Sequence, residues 1–386
     1  MAGKLRINQD RMKENFLALV EIYSPSRNEA DVAGWIREKM AISLGAEVIE
    51  DNAAVSVGGN CNNMVLRLSG DRDARPLFLN AHMDTVEPAS GVRPLVQDGV
   101  IRSDGATVLG ADDKAAIAII FEAIEAAREC NISLPPLDLV FTVCEEIGLL
   151  GAKALDTGLI RATQGYCLDS TGTFNLINQA PEAVRFTIDI HGRSAHAGIE
   201  PEKGINAILL AARAMAEIPC GRIDAETTSN IGMIKGGTAT NIVPDLVTVQ
   251  GEVRSHNHEM LKHVQDEMMG AFYRIAMEMQ AGPMQDSDVV IPRIESTVDQ
   301  EYPAMKIDKK HPLVLRATEA AAELGKELQV MSTGGGSDAN VFNGKGLDAV
   351  ILGIGMRDVH TCQEHIHLKD MADTAAFLSE IIGRWS

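Results

Sequence analysis

The run Leu77-Phe-Leu-Asn-Ala-His-Met-Asp-Thr85 ends on an imidazole and a carboxylate two residues apart, His82 and Asp84. On an extended strand, residues at that spacing share a face. A carboxylate beside a metal-binding His is its usual outer partner: it accepts the proton of one ring nitrogen and leaves the other as ligand. Asp/His neighbours are also common on surfaces, so the pair points to metal chemistry only if further ligands converge on it.

Four further clusters supply candidates, each just beyond a β-type run or ahead of a helix. Gly110-Ala-Asp-Asp-Lys114 precedes a strong helical pattern. One Asp there would be an ordinary N-cap favoured by the helix dipole, and two exceed that need. Cys144-Glu-Glu-Ile-Gly148 ends an apolar run. Neighbouring strand residues point to opposite faces, so Glu145 and Glu146 reach one site only if the strand stops, and Gly148 permits the turn. Adjacent carboxylates repel unless a cation intervenes; a metal ligand beside a free base would explain the pair, as would a surface charge pair. Tyr166-Cys-Leu-Asp169 ends on a lone Asp. Met356–His367 holds three histidines, His360, His365 and His367, any of which could ligate, while the last two also suit a half-exposed strand. The donors are then His82, Asp112, Glu146, Asp169 and one of these three, with Asp84 behind and Glu145 free. Two imidazoles and three carboxylates suit zinc, with cobalt or manganese as substitutes. One carboxylate shared by two ions roughly 3.5–4 Å apart is a recurrent hydrolytic device.

Positioning these residues requires strand ends. Phe16, Leu19, Val20 and Tyr23 recur at helical spacing, and Ser26 with Glu29 reads as a capping box opening a helix through Trp35 and Met40. Strands are expected at Ala46–Glu50, Met64–Leu68, Leu77–Ala81 and Leu137–Val143, with a helix at Lys114–Glu129. Apolar strands alternating with helices imply an α/β sheet covered on both faces, which binds ligands at its carboxyl ends. From Ala183 the pattern changes. Strands Val184–Ile190, Thr228–Lys235, Leu246–Arg254 and Asp288–Thr297 with helices Gly204–Ile218 and Asn257–Gln280 spell βαββαβ, the ferredoxin-like α+β unit. α/β character resumes with the helix Pro312–Leu324, the strand Ala349–Gly353 and the helix Asp370–Trp385. The expected architecture is one discontinuous α/β domain, residues 1–180 and 309–386, carrying an insert at residues 181–308.

Composition narrows the function. At 386 residues the chain exceeds one compact core. A formal charge of −19 excludes the basic faces that nucleic acid or anionic membranes require. No run approaches the roughly 18 apolar residues of a membrane span, and the opening residues are too polar for a signal peptide. Six scattered cysteines without a CxxC pair suit reduced thiols in the cytoplasm.

His82-Met-Asp84-Thr-Val, Gly110-Ala-Asp-Asp-Lys114 and Glu145-Glu146-Ile-Gly148 together resemble the di-zinc exopeptidase and amidohydrolase family. That family includes peptidase T, aminoacylase, carboxypeptidase G and succinyl-diaminopimelate desuccinylase. The resemblance spans essentially the full chain, and Gly110–Lys114 is closest in kind to peptidase T. It implies two zinc ions bridged by Asp112, one completed by His82 and Asp169, the other by Glu146 and His360. His360 is chosen by the family's His-x-x-x-Glu spacing, met with Glu364. Asp84 would orient His82, and Glu145 would be the general base acting on a water shared by the ions. Arg193-Ser-Ala-His196-Ala-Gly198 resembles the segment whose His reaches a catalytic site, commonly the partner subunit's. Asn241 and Arg254 resemble positions that hold the substrate's polar backbone and carboxylate, an apt use of arginine's planar fork.

The loop Met331-Ser-Thr-Gly-Gly-Gly-Ser-Asp338 departs from peptidase T, which carries an Arg where Gly334 stands, so strict tripeptide recognition is in question. Gly335 and its neighbours could still let backbone N–H groups approach a substrate anion at the following helix start. No Gly-Lys-Ser/Thr follows, so the loop is not a nucleotide P-loop. The expectation is a cytoplasmic, homodimeric di-zinc aminopeptidase for short peptides. The rivals are an N-acyl-amino-acid amidohydrolase and a catalytically silent metal- or ligand-binding homologue.

Overall fold

The computed structural model describes residues 5–280 and 292–386. The chain divides into two compact units, Met1–Ala180 with Met305–Ser386, and Pro181–Ala304.

The first unit is built on a nine-stranded mixed sheet. Across it the strands run Glu47–Glu50, Met64–Leu68, Leu137–Thr142, Leu77–His82, Gln164–Cys167, Asp348–Ile354, Thr173–Ala180 and Met305–Lys306; Gln329–Ser332 also pairs with Thr173–Ala180. Leu77–His82 is parallel to both its neighbours, and Asp348–Ile354 is parallel to Gln164–Cys167. Four adjacent strands therefore end on the same edge. Every residue of Leu77–His82 and Leu137–Thr142 is buried, because both faces are covered. Leu77, Leu79 and Ala81 join the core that includes Ile117 and Ile120 of the helix Ala111–Glu129. On the opposite face Phe78 meets Phe342 of the helix Asp338–Gly344 edge-on, ring centroids 5.4 Å apart. This is the α/β sheet with helices on both faces that the apolar strand runs imply.

Two local expectations change. Asp112 and Asp113 are non-helical within Ala111–Glu129, so regular helix starts at Lys114, where the periodicity places it. The capping box at Ser26 and Glu29 does not form. The helix starts at Ala30 without a side-chain cap from Glu29, and the Ala30 N–H donates to Asn60 instead. Ser26 Oγ donates to Asp84 Oδ2 at 2.6 Å, and Glu29 Oε1 accepts from the N–H groups of Arg27 and Cys144. A buried carboxylate is the stronger acceptor and the costlier one to leave unpaired, so both side chains are drawn from the cap to long-range partners.

The second unit is an antiparallel sheet in the order Gly221–Arg222, Thr227–Gly236, Leu246–Ser255, Glu182–His191, Arg293–Tyr302. Val184, Phe186, Ile188 and Ile190 pack with Val247 and Val249 against both helices, Ala207–Met215 and His258–Gln280. Four long strands and two helices on one face make the ferredoxin-like unit. Of the strand expected at Asp288–Thr297, residues 288–291 lie outside the described residues. Among the described residues no helix is long and apolar enough to cross a membrane.

Candidate metal centre

The carboxyl ends of the four parallel strands deliver the candidate donors to one place. His82 is the last residue of its strand. Glu145 and Glu146 follow Leu137–Thr142, Asp169 follows Gln164–Cys167, and His360 lies beyond Asp348–Ile354. Asp112 stands at the head of the adjoining helix. Its carboxylate lies between two imidazoles: Oδ1 is 3.0 Å from His82 Nε2, and Oδ2 is 3.2 Å from His360 Nε2. His360 Nε2 is also 3.1 Å from Glu146 Oε2. One donor atom from each of His82, Asp112 and Glu146 falls within 4.8 Å of the others. Asp112, Glu145, Glu146, Asp169 and His360 line one cavity of about 260 Å³.

The turn that brings both glutamates into this cavity begins earlier than Gly148. Cys144 already adopts φ +54°, a left-handed conformation that non-glycine residues adopt only under constraint. The constraint is a row of buried acceptors. Asn63 Oδ1 takes the N–H of Val143 at 3.0 Å, and Glu29 Oε1 that of Cys144 at 2.9 Å. Asp84 Oδ1 and Oδ2 take those of Glu145 and Glu146 at 2.9 and 3.1 Å. Asp84 thus does more than sit behind His82. His82 Nδ1 is 2.9 Å from the Asp84 backbone carbonyl and 3.4 Å from its carboxylate, so the carbonyl is the nearer acceptor and the carboxylate is left to hold the turn. Nε2 is the nitrogen turned to the cluster.

Charge is crowded here. Burial, reinforced by Asp169, pushes the Glu145 carboxyl well above its ordinary range; burial and the Asp112 charge do the same to Asp169. Burial also raises Glu146. Burial works against the charge on Asp112, yet hydrogen bonds from His360 and His82 hold it below the usual carboxylate value. His82 is likewise opposed by burial, and the Asp112 and Asp84 carboxylates outweigh it, raising the imidazole well above its usual value. Hydrogen bonds to Asp112 and Glu146 raise His360 to about 10.

A divalent cation fits this donor set. Glu146 Oε1 is buried and accepts no hydrogen bond, and the same holds for Asp113 Oδ1. Buried unpaired carboxylate oxygens are expensive in protein alone. Imidazole nitrogens and carboxylate oxygens facing one another are what zinc-type ions take.

Several residues around the centre carry no local sequence signal. Glu364, noted only for its spacing from His360, is 1% exposed. Its Oε2 accepts from the N–H groups of Leu109 and Gly110, and Oε1 from that of Asp112. Asp113 Oδ2 accepts the His82 N–H at 3.2 Å. Asp338, 2% exposed, accepts from the Thr142 hydroxyl. Each of these bonds spans tens or hundreds of residues. Glu364→Leu strands three buried amides at about 1–3 kcal/mol each, so urea unfolding is expected to show a loss of at least about 3 kcal/mol. A loss within about 0.5 kcal/mol would show that water replaces the carboxylate.

His365 and His367 belong to a half-exposed strand in a separate three-stranded sheet, the alternative left open for them. Gly335 lines the cavity, and its N–H points to Thr333 Oγ1 at 3.3 Å. The helix start after the glycines does not offer the expected anion site. Ser337 and Asn340 close a capping box there, and the first helical residue is the acid Asp338. Within the second unit, His196 and Asn241 are brought together: Ala195–His196 pairs with Ile242–Val243, and Ala197 N–H donates to Asn241 O at 2.9 Å. His196 is exposed. Arg254 is not free: its fork pairs with Glu252 at 2.9 and 3.0 Å, because residues two apart on a strand share a face.

Residues 78–384 match the model of Peptidase family M20/M25/M40. An uncharacterised protein, YqjE of Bacillus subtilis (strain 168), is 40% identical over 377 residues, which is 97% of this chain and 98% of that protein. The crystal structure of aminopeptidase PepT from Bacillus cereus ATCC 10987 is similar with a TM-score of 0.87 at 39% identity, covering 98% of each chain. A tripeptidase structure from Staphylococcus aureus subsp. aureus Mu50 is similar with a TM-score of 0.90 at 38% identity, again over 98% of each chain.

Proposed function

The chain belongs to peptidase family M20/M25/M40, and on that premise we propose that it is a two-metal aminopeptidase releasing N-terminal residues from short peptides. The observation that carries this reading is the Asp112 carboxylate set between His82 and His360, with Glu145 lining the same cavity. Aminopeptidase and tripeptidase are the activities named for two solved structures similar over nearly the whole chain.

In this reading His82, Asp112 and Asp169 hold one ion, and Asp112, Glu146 and His360 hold the other. Zinc is the assigned metal, with cobalt or manganese able to replace it. Two such ions, when bound, would supply Lewis-acid chemistry, lowering the pKa of water and polarising a carbonyl oxygen. Glu145 takes the water's proton on its carboxylate and returns it to the leaving amine. Asp84 fixes the backbone of Glu145 and Glu146 and the tautomer of His82. Asn241 contacts the substrate's polar backbone, and His196, adjacent to it in the insert, stabilises the oxyanion that forms when the peptide carbonyl is attacked. Arg254 reaches a substrate carboxylate by giving up part of its bond to Glu252. Gly335 meets the substrate with backbone.

The two-segment unit is the catalytic body, and the insert is a lid and dimerisation module that ends at Ala304 rather than at the expected residue 308, because Met305–Lys306 pairs with Thr173–Ala180 of the first unit's sheet. Thr227–Gly236 supports that role: its outer side pairs with Gly221–Arg222 only at Thr228 and Ser229. Met233 and Ile234 beyond it are 47% and 50% exposed. Such an edge invites a second copy. None of the six cysteines is disulfide-bonded, which suits the cytoplasm.

The test is metal analysis joined to a substrate panel. Two ions per chain with release of N-terminal residues from free peptides supports the reading. Turnover confined to N-acylated amino acids replaces it with an amidohydrolase, and binding without turnover replaces it with a silent homologue.

Metal uptake has a sign that can be measured. His360, raised to about 10, is protonated at neutral pH, and an imidazole must be neutral to ligate. Raised Glu146 and Asp169 carboxyls add to the protons that ions displace. Uptake is therefore expected to release protons, and affinity to rise with pH up to about 10. Titration calorimetry in buffers of different ionisation enthalpy measures this; proton-neutral binding at pH 7 would contradict it.

A further inference from the structure

Residues 22–29 connect the helix Gln9–Val20 to the helix that starts at Ala30, and several of their polar groups bond to the segments that build the metal centre. Ser24 O accepts the Thr85 N–H at 2.9 Å, and the buried Ser24 Oγ donates to Met83 O at 3.0 Å. Pro25 forms a parallel bridge with Thr85. Lys114, 2% exposed, donates from Nζ to Ile22 O at 2.6 Å. Ser26 Oγ donates to Asp84 Oδ2, and Glu29 Oε1 accepts the Cys144 N–H. The segment therefore clasps three places at once: the chain just beyond the His82 strand, the head of the Ala111–Glu129 helix and the turn that leads into Glu145. None of residues 22–29 lines the cavity that holds the carboxylates, so whatever they do for the chemistry they do through these bonds.

The bond from Ser26 bears most directly on the base. Asp84 is fully buried, and its carboxylate can only accept. Oδ1 takes the Glu145 N–H at 2.9 Å and Oδ2 that of Glu146 at 3.1 Å. The Ser26 hydroxyl reaches Oδ2 at 2.6 Å, the range of strong O–H···O⁻ bonds. It comes from neither the strand end nor the turn, so it ties the carboxylate to a third element. The last torsion of an aspartate is broad and nearly two-fold, and a competing donor is close: His82 Nδ1 lies 3.4 Å from Oδ1. A ligand imidazole bound through Nε2 keeps its proton on Nδ1, so this competition persists when metal is bound. Without Ser26, nothing outside the turn stops the carboxylate from rotating toward the imidazole and releasing a glutamate amide.

We propose that Ser26 is a positioning residue for proton transfer by Glu145: its hydroxyl holds the Asp84 carboxylate on the turn and off His82 Nδ1, so that the base keeps its place. The proposal rests on the peptidase reading above and extends the working parts of the centre to a connecting segment near the start of the chain. Ser26 touches neither ligand nor substrate and acts through Asp84 alone.

The experiment compares the native protein with Ser26→Ala and Ser26→Cys, each metal-loaded, by tripeptide kinetics, elemental analysis and amide hydrogen exchange. Ser26→Ala is expected to lower kcat about 10–100-fold, the usual cost of losing an outer hydrogen-bonding partner. KM should stay within about twofold, since no substrate contact is removed, and metal content should match the native protein. Exchange at the Glu145 and Glu146 amides should quicken by about tenfold or more while the buried strands keep their protection. Ser26→Cys fills the same space with a weak donor and should recover little of the loss; if Ser26→Ala loses its fold, Ser26→Cys carries the same reading. Native kcat with native exchange in Ser26→Ala would overturn the proposal. So would full recovery in Ser26→Cys, which would make volume the property that counts, or a rise in KM with kcat unchanged. No hydrolysis of any peptide by the native protein would remove the peptidase reading and the proton-transfer role with it, and exchange at residues 145 and 146 would still decide whether Ser26 holds the turn.

Discussion

Glu145→Gln is expected to retain two ions per chain while turnover of peptides falls on the order of 10²–10⁴-fold, the usual contribution of a general acid–base group. The substitution preserves shape. The bond that places residue 145 is its backbone N–H to Asp84 at 2.9 Å, which a glutamine keeps. The lost property is the ability to carry a proton between water and leaving amine. Glu145 holds neither ion in the reading above, so ion content should hold. Removing its charge also relieves repulsion with Asp169, which favours the fold. Measuring metal content by elemental analysis beside kcat separates the two roles. Native turnover in this variant would exclude Glu145 as the base; loss of one ion would make it a ligand.

Asp112→Ala is expected to reduce metal from two ions per chain to fewer than one and to abolish turnover. One carboxylate faces both imidazoles, with Oδ1 toward His82 and Oδ2 toward His360, so its loss takes a donor from each ion at once. Deleting Glu146 or Asp169 would weaken one site directly. The same result should appear in thermal melts, since a ligand that binds only the folded state raises Tm with its concentration. Added zinc should stabilise the native protein and have little effect on Asp112→Ala. Retention of two ions in the variant would show that the ions do not share this residue.

The reach of the sequence can be judged from particular residues. The apolar runs at 77–82 and 137–142 announce strands buried on both faces, and the chemistry-bearing residues follow those runs directly. Residue type and strand placement are local properties, so they are visible in the chain. Ser26 and Glu29 show where local reading fails: their spacing satisfies a capping box, but Asp84 and Cys144, more than fifty residues away, take both side chains. Arg254 shows the converse, since its partner Glu252 is two residues away on the same strand face and follows from strand periodicity. The capping box at Ser337 and Asn340 is equally local.

The kinds of group available are legible in the chain, an imidazole or carboxylate after each buried strand, and so is a sheet type whose carboxyl ends bind ligands. That these ends meet is a property of the folded chain, because parallel pairing joins strands separated by long crossovers and aligns their ends on one edge. The fold alone selects which buried groups hold the site in place. Glu364 grips the Leu109–Asp112 segment across about 250 residues, and Glu29, Asn63 and Asp84 grip the turn of Glu145. Such bonds have no period and no spacing in the chain. They are selected by the cost of leaving a buried amide or carboxylate unpaired, which exists only once the fold has excluded water. His82 and Asp84, ordinary as a pair, take separate tasks for that reason: one turns Nε2 to the cluster, and the other anchors the strand end that carries the base.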